Sequence, residues 1–321
     1  MLSSSVRILR AAASFLLAAA TLAAAEPFPR RWFLNAHNSY PEHGRGRDRL
    51  ARARQAGLWA VELDLAWSET RSRAVISHDA KKVRGDEPTL DEYFFRPLAG
   101  ELRRLPRGEP GLLLMLDFKS DHPGPVREVH AALATHGDIL TTSSRDGALR
   151  WGPLTVILSE NAAAIALFEK LTPPGEPYLA MAIREPPERK WKDDIRDYFA
   201  EPATPFYRLF NFDWRNVERD PNPQAGPWTP AERARLEAIV TMAREKGYWT
   251  RAWTLNATTS MWGKGRNFGS RAALLERWRA ARDAGLDCIA TDEYALAGRV
   301  MASEAARPPT ARSTDSPPRP R

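Results

Sequence analysis

The chain has 321 residues, 43% of them hydrophobic, which excludes a wholly disordered protein and is enough for a sizeable core. A single cysteine, Cys288, excludes an intrachain disulfide and any multi-cysteine metal site. The net charge of +7 is concentrated at the termini: the first 25 residues carry +2 and the last 20 another +2, leaving +3 for residues 26–301. With so mild a basic excess, and no RNA-binding or helix-turn-helix pattern, nucleic acid is not expected as a partner.

Residues 1–25 read as a secretory signal peptide. Arg7 and Arg10 give the positive start, Ala11–Ala20 the apolar stretch, and Ala23, Ala24 and Ala25 the small residues before cleavage at Glu26. The apolar run is shorter than the roughly 20 residues of a membrane span. The mature protein is expected to be exported, and so secreted or periplasmic.

Strand-like and helix-like runs then alternate. Trp32–Ala36 is a strand ending at His37, and a helix over Asp48–Ala56 stops at Gly57. Trp59–Leu65 is the second strand, with Ala74–Ser77 as a short return strand. Leu90–Leu105 is helical, Leu112–Phe118 the third strand and Pro125–Thr135 its helix. Thr155–Leu158 precedes helical Ala162–Leu171. Tyr178–Ile183 precedes a polar, aromatic stretch to about residue 200. Tyr207–Phe212 leads to the helix Pro230–Lys246, with Thr229 as N-cap and Gly247 as stop. Trp249–Leu255, helical Arg271–Ala284 and the strand Leu286–Thr291 follow. Continuous apolar strands imply a parallel sheet buried on both faces, and eight such units within about 250 residues favour a closed (β/α)8 TIM barrel over an open doubly wound sheet. The expected organisation is a signal peptide at 1–25, one barrel domain at 26–301, and a disordered, basic, proline-rich tail at 302–321.

In a barrel, catalytic side chains belong at the C-terminal ends of strands. Four polar features fall there: His37-Asn38-Ser39-Tyr40, then Glu62-Leu63-Asp64, then Ser77-His78-Asp79, then Asp117-Phe118-Lys119. Glu62 and Asp64 are two apart and point to one face of their strand. Paired carboxylates repel unless a positive charge sits between them, and a hard divalent cation supplies one. Asp117 adds a third carboxylate and Asn38 a neutral carbonyl oxygen, a set suited to Mg²⁺ or Ca²⁺ rather than zinc. His37 and His78 then flank the ion as general acid and base, and Lys119 places a cation near developing negative charge. Taken singly, each feature also has a structural reading: a strand-end histidine, a half-exposed polar face, an Asp117–Lys119 ion pair. It is their convergence at one barrel mouth that points to chemistry.

The order His-Asn-x-Tyr, Glu-x-Asp, a hairpin histidine and a carboxylate on the next strand resembles the PLC-like phosphodiesterase superfamily. That group comprises phosphoinositide phospholipases C, glycerophosphodiester phosphodiesterases and sphingomyelinases D. His37-Asn38-Ser39-Tyr40 and Glu62-Leu63-Asp64 are similar to the eukaryotic phospholipase C pattern, which implies a catalytic His37 and calcium ligands at Asn38, Glu62 and Asp64. Asp117-Phe118-Lys119 resembles sphingomyelinase D, implying a magnesium-binding Asp117 and a phosphate-contacting Lys119. Ala284–Asp292 is similar to the last strand of glycerophosphodiesterases, and Arg251-Ala252-Trp253-Thr254 to the strand before it, which implies Trp253 in the substrate pocket. The glycerophosphodiesterases have Arg after the first histidine, where this chain has Asn38. The resemblance implies a small secreted TIM-barrel phosphoric diester hydrolase, or a lyase giving a cyclic phosphate. It also implies a phospholipid-derived or glycerophosphodiester-type substrate such as a lysolipid. The segment Glu185–Pro205, which mixes charges with Trp191, Tyr198 and Phe199, is a candidate to cover the pocket mouth or to make transient contact with a membrane surface, with an ordinary long loop as the structural reading. A monomer is expected.

Three rival readings stay on the table. A non-catalytic metal- or anion-binding barrel needs no pair of histidines. A glycosidase would use two carboxylates at least about 5 Å apart, but leaves His37, His78 and Lys119 without a task. A zinc amidohydrolase wants His-x-His on the first strand, where His37 is followed by Asn38 and Ser39.

Overall fold

The computed structural model describes residues 27–42, 47–186, 194–199, 201–218, 226–253, 255–257 and 268–305. The stretch 1–25 expected as a signal peptide, Trp191 of the polar, aromatic stretch, and residues 306–321 of the expected tail lie outside the described residues.

Apolar runs buried on both faces form the strands β1 (Leu34–Ala36), β2 (Ala60–Ser68), β4 (Leu112–Phe118), β5 (Leu154–Ser159), β6 (Met181–Arg184), β7 (Tyr207–Asp213), β8 (Trp249–Trp253) and β9 (Cys288–Thr291). All pair in parallel with their neighbours, and β9 returns to β1 through Leu34↔Ile289 and Ala36↔Thr291. Since β1 also pairs with β2, the sheet closes into an eight-stranded barrel. β3 (Arg73–Ile76) folds back antiparallel on β2 as a hairpin and stays outside the ring. A closed parallel ring with helices around it is the (β/α)8 barrel that the alternation predicts.

Local sequence explains most of the boundaries. α1 (Arg49–Gln55) starts where Asp48 accepts a hydrogen bond from the Ala51 amide and ends ahead of Gly57, whose φ is +79°. α2 (Arg96–Leu102) continues from a wider helical turn at Asp91–Phe95, so the run expected as one helix has two windings. α3 (Pro123–Thr135) packs on β2 and β3, and α4 (Ala162–Leu171) on β5. α5 (Pro230–Glu245) has a complete capping box between Thr229 and Glu232, with Pro230 at its first position. α6 (Arg271–Asp283) is capped by Ser270. Between β6 and β7 the described residues hold only a short 3₁₀ turn, Ile195–Tyr198. α7 (Tyr294–Ala305) runs four residues into the stretch expected as a disordered tail. β1 is shorter than expected because Arg30–Trp32 is a 3₁₀ turn, which lets the Trp32 indole donate to the Gly111 carbonyl at 2.9 Å. Among the described residues no helix is long and apolar enough to cross a membrane.

Register does the rest of the positioning. Asp64 on β2 lies directly across from Asp117 on β4, and Asp117 across from Ser159 on β5. On the other side of the ring Asn211 on β7 lies across from Arg251 on β8. Adjacent strands are about 4.8 Å apart, so each pair meets without any help from loops.

Candidate active site

The mouth of the barrel begins at the end of β1. The His37 amide donates to the Thr291 carbonyl at 3.0 Å, and the Ser39 amide donates to the Glu62 carbonyl at 2.7 Å. Between them Asn38 adopts φ +57°, the left-handed region in which Asn is one of the few tolerated non-glycine residues. The Ser39 hydroxyl closes the turn on the Ala36 carbonyl at 2.9 Å. This turn aims the His37 ring over the barrel.

Acidic groups stand at both nitrogens of that ring. Nε2 is 3.3 Å from Glu62 Oε1, and Nδ1 is 3.4 Å from Asp292 Oδ1. Asn38 Nδ2 bridges the pair, 2.7 Å from His37 Nδ1 and 3.2 Å from Asp292 Oδ1. Burial alone would lower the His37 pKa, but Glu62 and Asp292 outweigh it and raise the value to about 9. His78 follows β3 and uses Nδ1 to meet Asp64 Oδ2 at 2.7 Å. Its ring stacks on Tyr40 with centroids 5.7 Å apart. Each of the two imidazoles is therefore oriented by a buried carboxylate.

Glu62, Asp64 and Asp117 each offer an oxygen, and these oxygens lie within 4.8 Å of one another. Asp64 is fully buried, yet its Oδ1 has no hydrogen-bond partner; the same holds for Asp117 Oδ1. Burial raises the Asp117 pKa well above the carboxylate range, Glu62 and Asp64 push it further, and Lys119 opposes them. Lys119 Nζ is 3.3 Å from Asp117 Oδ2 and 3.7 Å from Asp64 Oδ1, and it also meets Glu160. Burial would lower the Lys119 pKa, but these three carboxylates reverse that and raise it. Two buried carboxylate oxygens that accept no hydrogen bond, beside a third acid, form a donor set of the kind a hard divalent cation satisfies.

His37, Glu62, His78, Asp117, Lys119 and Trp253 all line one cavity of about 370 Å³. Asp64 lies behind this wall, bonded to His78. Asn38 also stands off the wall, its amide nitrogen turned to His37 and Asp292; any contribution to a cation would come from its carbonyl oxygen.

Five further residues belong to the site and were not singled out in the sequence. Asp292, just past β9, orients His37, and it is fixed in turn by Asn256, which accepts from the Asp292 amide at 2.6 Å and donates to Oδ2 at 3.0 Å. Arg251 reaches Glu62 Oε2, Asn35 Oδ1 at 3.1 Å and Asn211 Oδ1 at 2.8 Å. Asn211 also donates to Glu185 Oε1 at 2.7 Å, and burial raises the pKa of that acid. Glu160 follows β5 with φ +73° and engages Lys119. The signal available for Asp292 and Glu160 was the rule already used for Asp117: an acid at or just past a strand end. Asn256 also opens an Asn-Ala-Thr glycosylation sequon, but it is buried and bonded to Asp292.

No protein-family model and no curated protein matches the sequence. Among solved structures, the chain is similar to a Ca²⁺-dependent phosphatidylinositol-specific phospholipase C from Streptomyces antibioticus. The two share 15% identity and a TM-score of 0.51, over 85% of this chain and 97% of that one. It is also similar to a glycerophosphoryl diester phosphodiesterase from Parabacteroides distasonis, at 16% identity and a TM-score of 0.45 over 90% of each chain. A putative glycerophosphoryl diester phosphodiesterase from Agrobacterium tumefaciens is similar at 13% identity and a TM-score of 0.46, over 86% of this chain and 99% of that one.

Proposed function

The chain shares the (β/α)8 fold of the phospholipase C described above, and we propose that it is a divalent-cation-dependent phosphoric diester hydrolase of the PLC-like phosphodiesterase superfamily. The observation that carries this reading is the pairing of two carboxylate-backed imidazoles, His37 and His78, on one cavity with three clustered acids. A binding protein needs no such pair, and a glycosidase needs no imidazole.

Glu62, Asp64 and Asp117, with the Asn38 carbonyl as a fourth candidate, are the residues to hold Mg²⁺ or Ca²⁺. What the ion supplies there is neutralisation of a non-bridging phosphate oxygen and orientation of phosphorus. Lys119 places its ammonium on the same anion, and Trp253 packs on the alcohol portion of the substrate. One imidazole removes the proton from the attacking hydroxyl, either water or a neighbouring hydroxyl of the substrate. The new O–P bond forms as the old one breaks, and the other imidazole protonates the departing oxygen. Asp64 and Asp292 keep each ring in place through this exchange. The substrate class is a phospholipid-derived diester, a lysolipid or a glycerophosphodiester, met outside the cell or in the periplasm by an exported monomer.

The test is turnover of bis(p-nitrophenyl) phosphate, glycerophosphodiesters and lysophospholipids, with EDTA and after return of Mg²⁺ or Ca²⁺. A Glu62→Gln/Asp64→Asn double variant runs alongside. Cation-restored cleavage by the wild type and none by the variant is expected. Cation binding without cleavage of any diester would favour the non-catalytic barrel.

A further inference from the structure

Arg251 is not explained by the acid–base pair. Its guanidinium is almost wholly buried, yet it is anchored on three other strands at once: Glu62 on β2, Asn35 on β1 and Asn211 on β7. A fork with three acceptors on rigid strands cannot swing away when a cation arrives. Both oxygens of Glu62 are already engaged, Oε2 by Arg251 and Oε1 by His37 at 3.3 Å, whereas Asp64 Oδ1 and Asp117 Oδ1 have no hydrogen-bond partner. Lys119 meanwhile lies against the other two acids of the cluster. Three carboxylates thus face two fixed side-chain cations before any metal enters.

We infer that Arg251 is a built-in competitor for the metal site: it holds Glu62 back, keeps the resting affinity for a divalent cation low, and couples cation binding to the arrival of an anionic phosphate. The physical reason is competition for ligand atoms. While Arg251 and His37 hold the two oxygens of Glu62, an ion entering the cluster finds only Asp64 Oδ1 and Asp117 Oδ1 without a hydrogen bond. A phosphate oxygen supplies the anionic ligand that Glu62 withholds, and by linkage each of the two then tightens the other by the same factor. Arg251 acts on the ion through Glu62 and is a positioning residue, not a catalytic one. The inference rests on the reading of Glu62, Asp64 and Asp117 as the cation site.

The experiment is Mn²⁺ binding by calorimetry and by electron paramagnetic resonance, with and without inorganic phosphate, on wild type, Arg251→Gln and Arg251→Lys. Wild type is expected to bind Mn²⁺ at least tenfold more tightly when phosphate is present. Arg251→Gln, with Glu62 released, is expected to bind Mn²⁺ at least tenfold more tightly than wild type in phosphate-free buffer and to lose most of the phosphate effect. Arg251→Lys, which keeps the charge but loses the three-acceptor fork, should fall between the two. Equal or weaker Mn²⁺ binding by Arg251→Gln overturns the inference while leaving the cation site intact. If that variant does not fold, a wild type whose Mn²⁺ affinity ignores phosphate overturns it equally. Absence of Mn²⁺ binding in every protein, with and without phosphate, overturns the cation site itself and the inference with it.

Discussion

His37 and His78 reach the same cavity from different strands, and each is turned by a buried acid. Replacing either with Ala should lower kcat/KM by about 10²–10⁴-fold, the usual worth of a general acid or base, while far-UV circular dichroism keeps its shape. Undiminished cleavage by both variants would contradict the assignment. His130 tests the electrostatics away from the site. Its ring packs edge-on against Phe168 at 5.1 Å, and burial lowers its pKa. The unfolded chain therefore takes up a proton near pH 6.5 before the folded one does, so this group makes stability fall as pH drops through the ordinary histidine range. In urea titrations between pH 7.5 and 5, His130→Gln should flatten that decline; an unchanged slope would show that the burial has no energetic consequence.

Among elements, the helix ends were the most legible feature of the sequence. Thr229, Pro230 and Gly247 marked α5 within a residue, because caps depend on local chemistry alone. Thr229→Ala removes a hydroxyl that accepts from the Glu232 amide at 3.3 Å, and should cost about 1 kcal/mol in thermal or urea unfolding. Packing between elements was not legible. Gly298 sits inside α7, where propensity favours Ala by roughly 0.5–1 kcal/mol. A Cβ there would lie 2.1 Å from the Ala56 carbonyl oxygen at the end of α1, and backbone cannot yield as a side chain can. Overpacking of about 1–3 kcal/mol should win, so Gly298→Ala is expected to lower Tm. A raised Tm would mean that α1 and α7 are not in contact as described. The stretch between β6 and β7 was read as polar and aromatic for the same local reasons, and its described part has no more than a single 3₁₀ turn.

At the scale of the whole molecule, alternation of apolar runs revealed the barrel, and the rule that chemistry sits past strand ends pointed to about half of the residues that line the cavity. Glu62, Asp64, Asp117, His37 and His78 were legible because they interrupt or terminate apolar runs. Arg251 and Asn211 were not. A polar residue within a strand can face a helix, the solvent or the interior, and only closure of the ring brings Arg251 from β8 against Glu62 on β2. Asp292 was visible as part of the last-strand pattern, but its task is set by His37, 255 positions away in sequence and adjacent only because β9 pairs with β1. The account therefore stands on the paired strands β2 and β4 gathering three acids around one cation, with closure of the ring bringing Arg251 and Asp292 to them. The direct measurement is anomalous diffraction from crystals grown with Mn²⁺ and a non-hydrolysable phosphodiester analogue. A single strong peak within about 2.6 Å of carboxylate oxygens of Glu62, Asp64 and Asp117, a usual bonding range for such ions, is the result expected. A peak elsewhere, or none at a concentration that supports turnover, would contradict it.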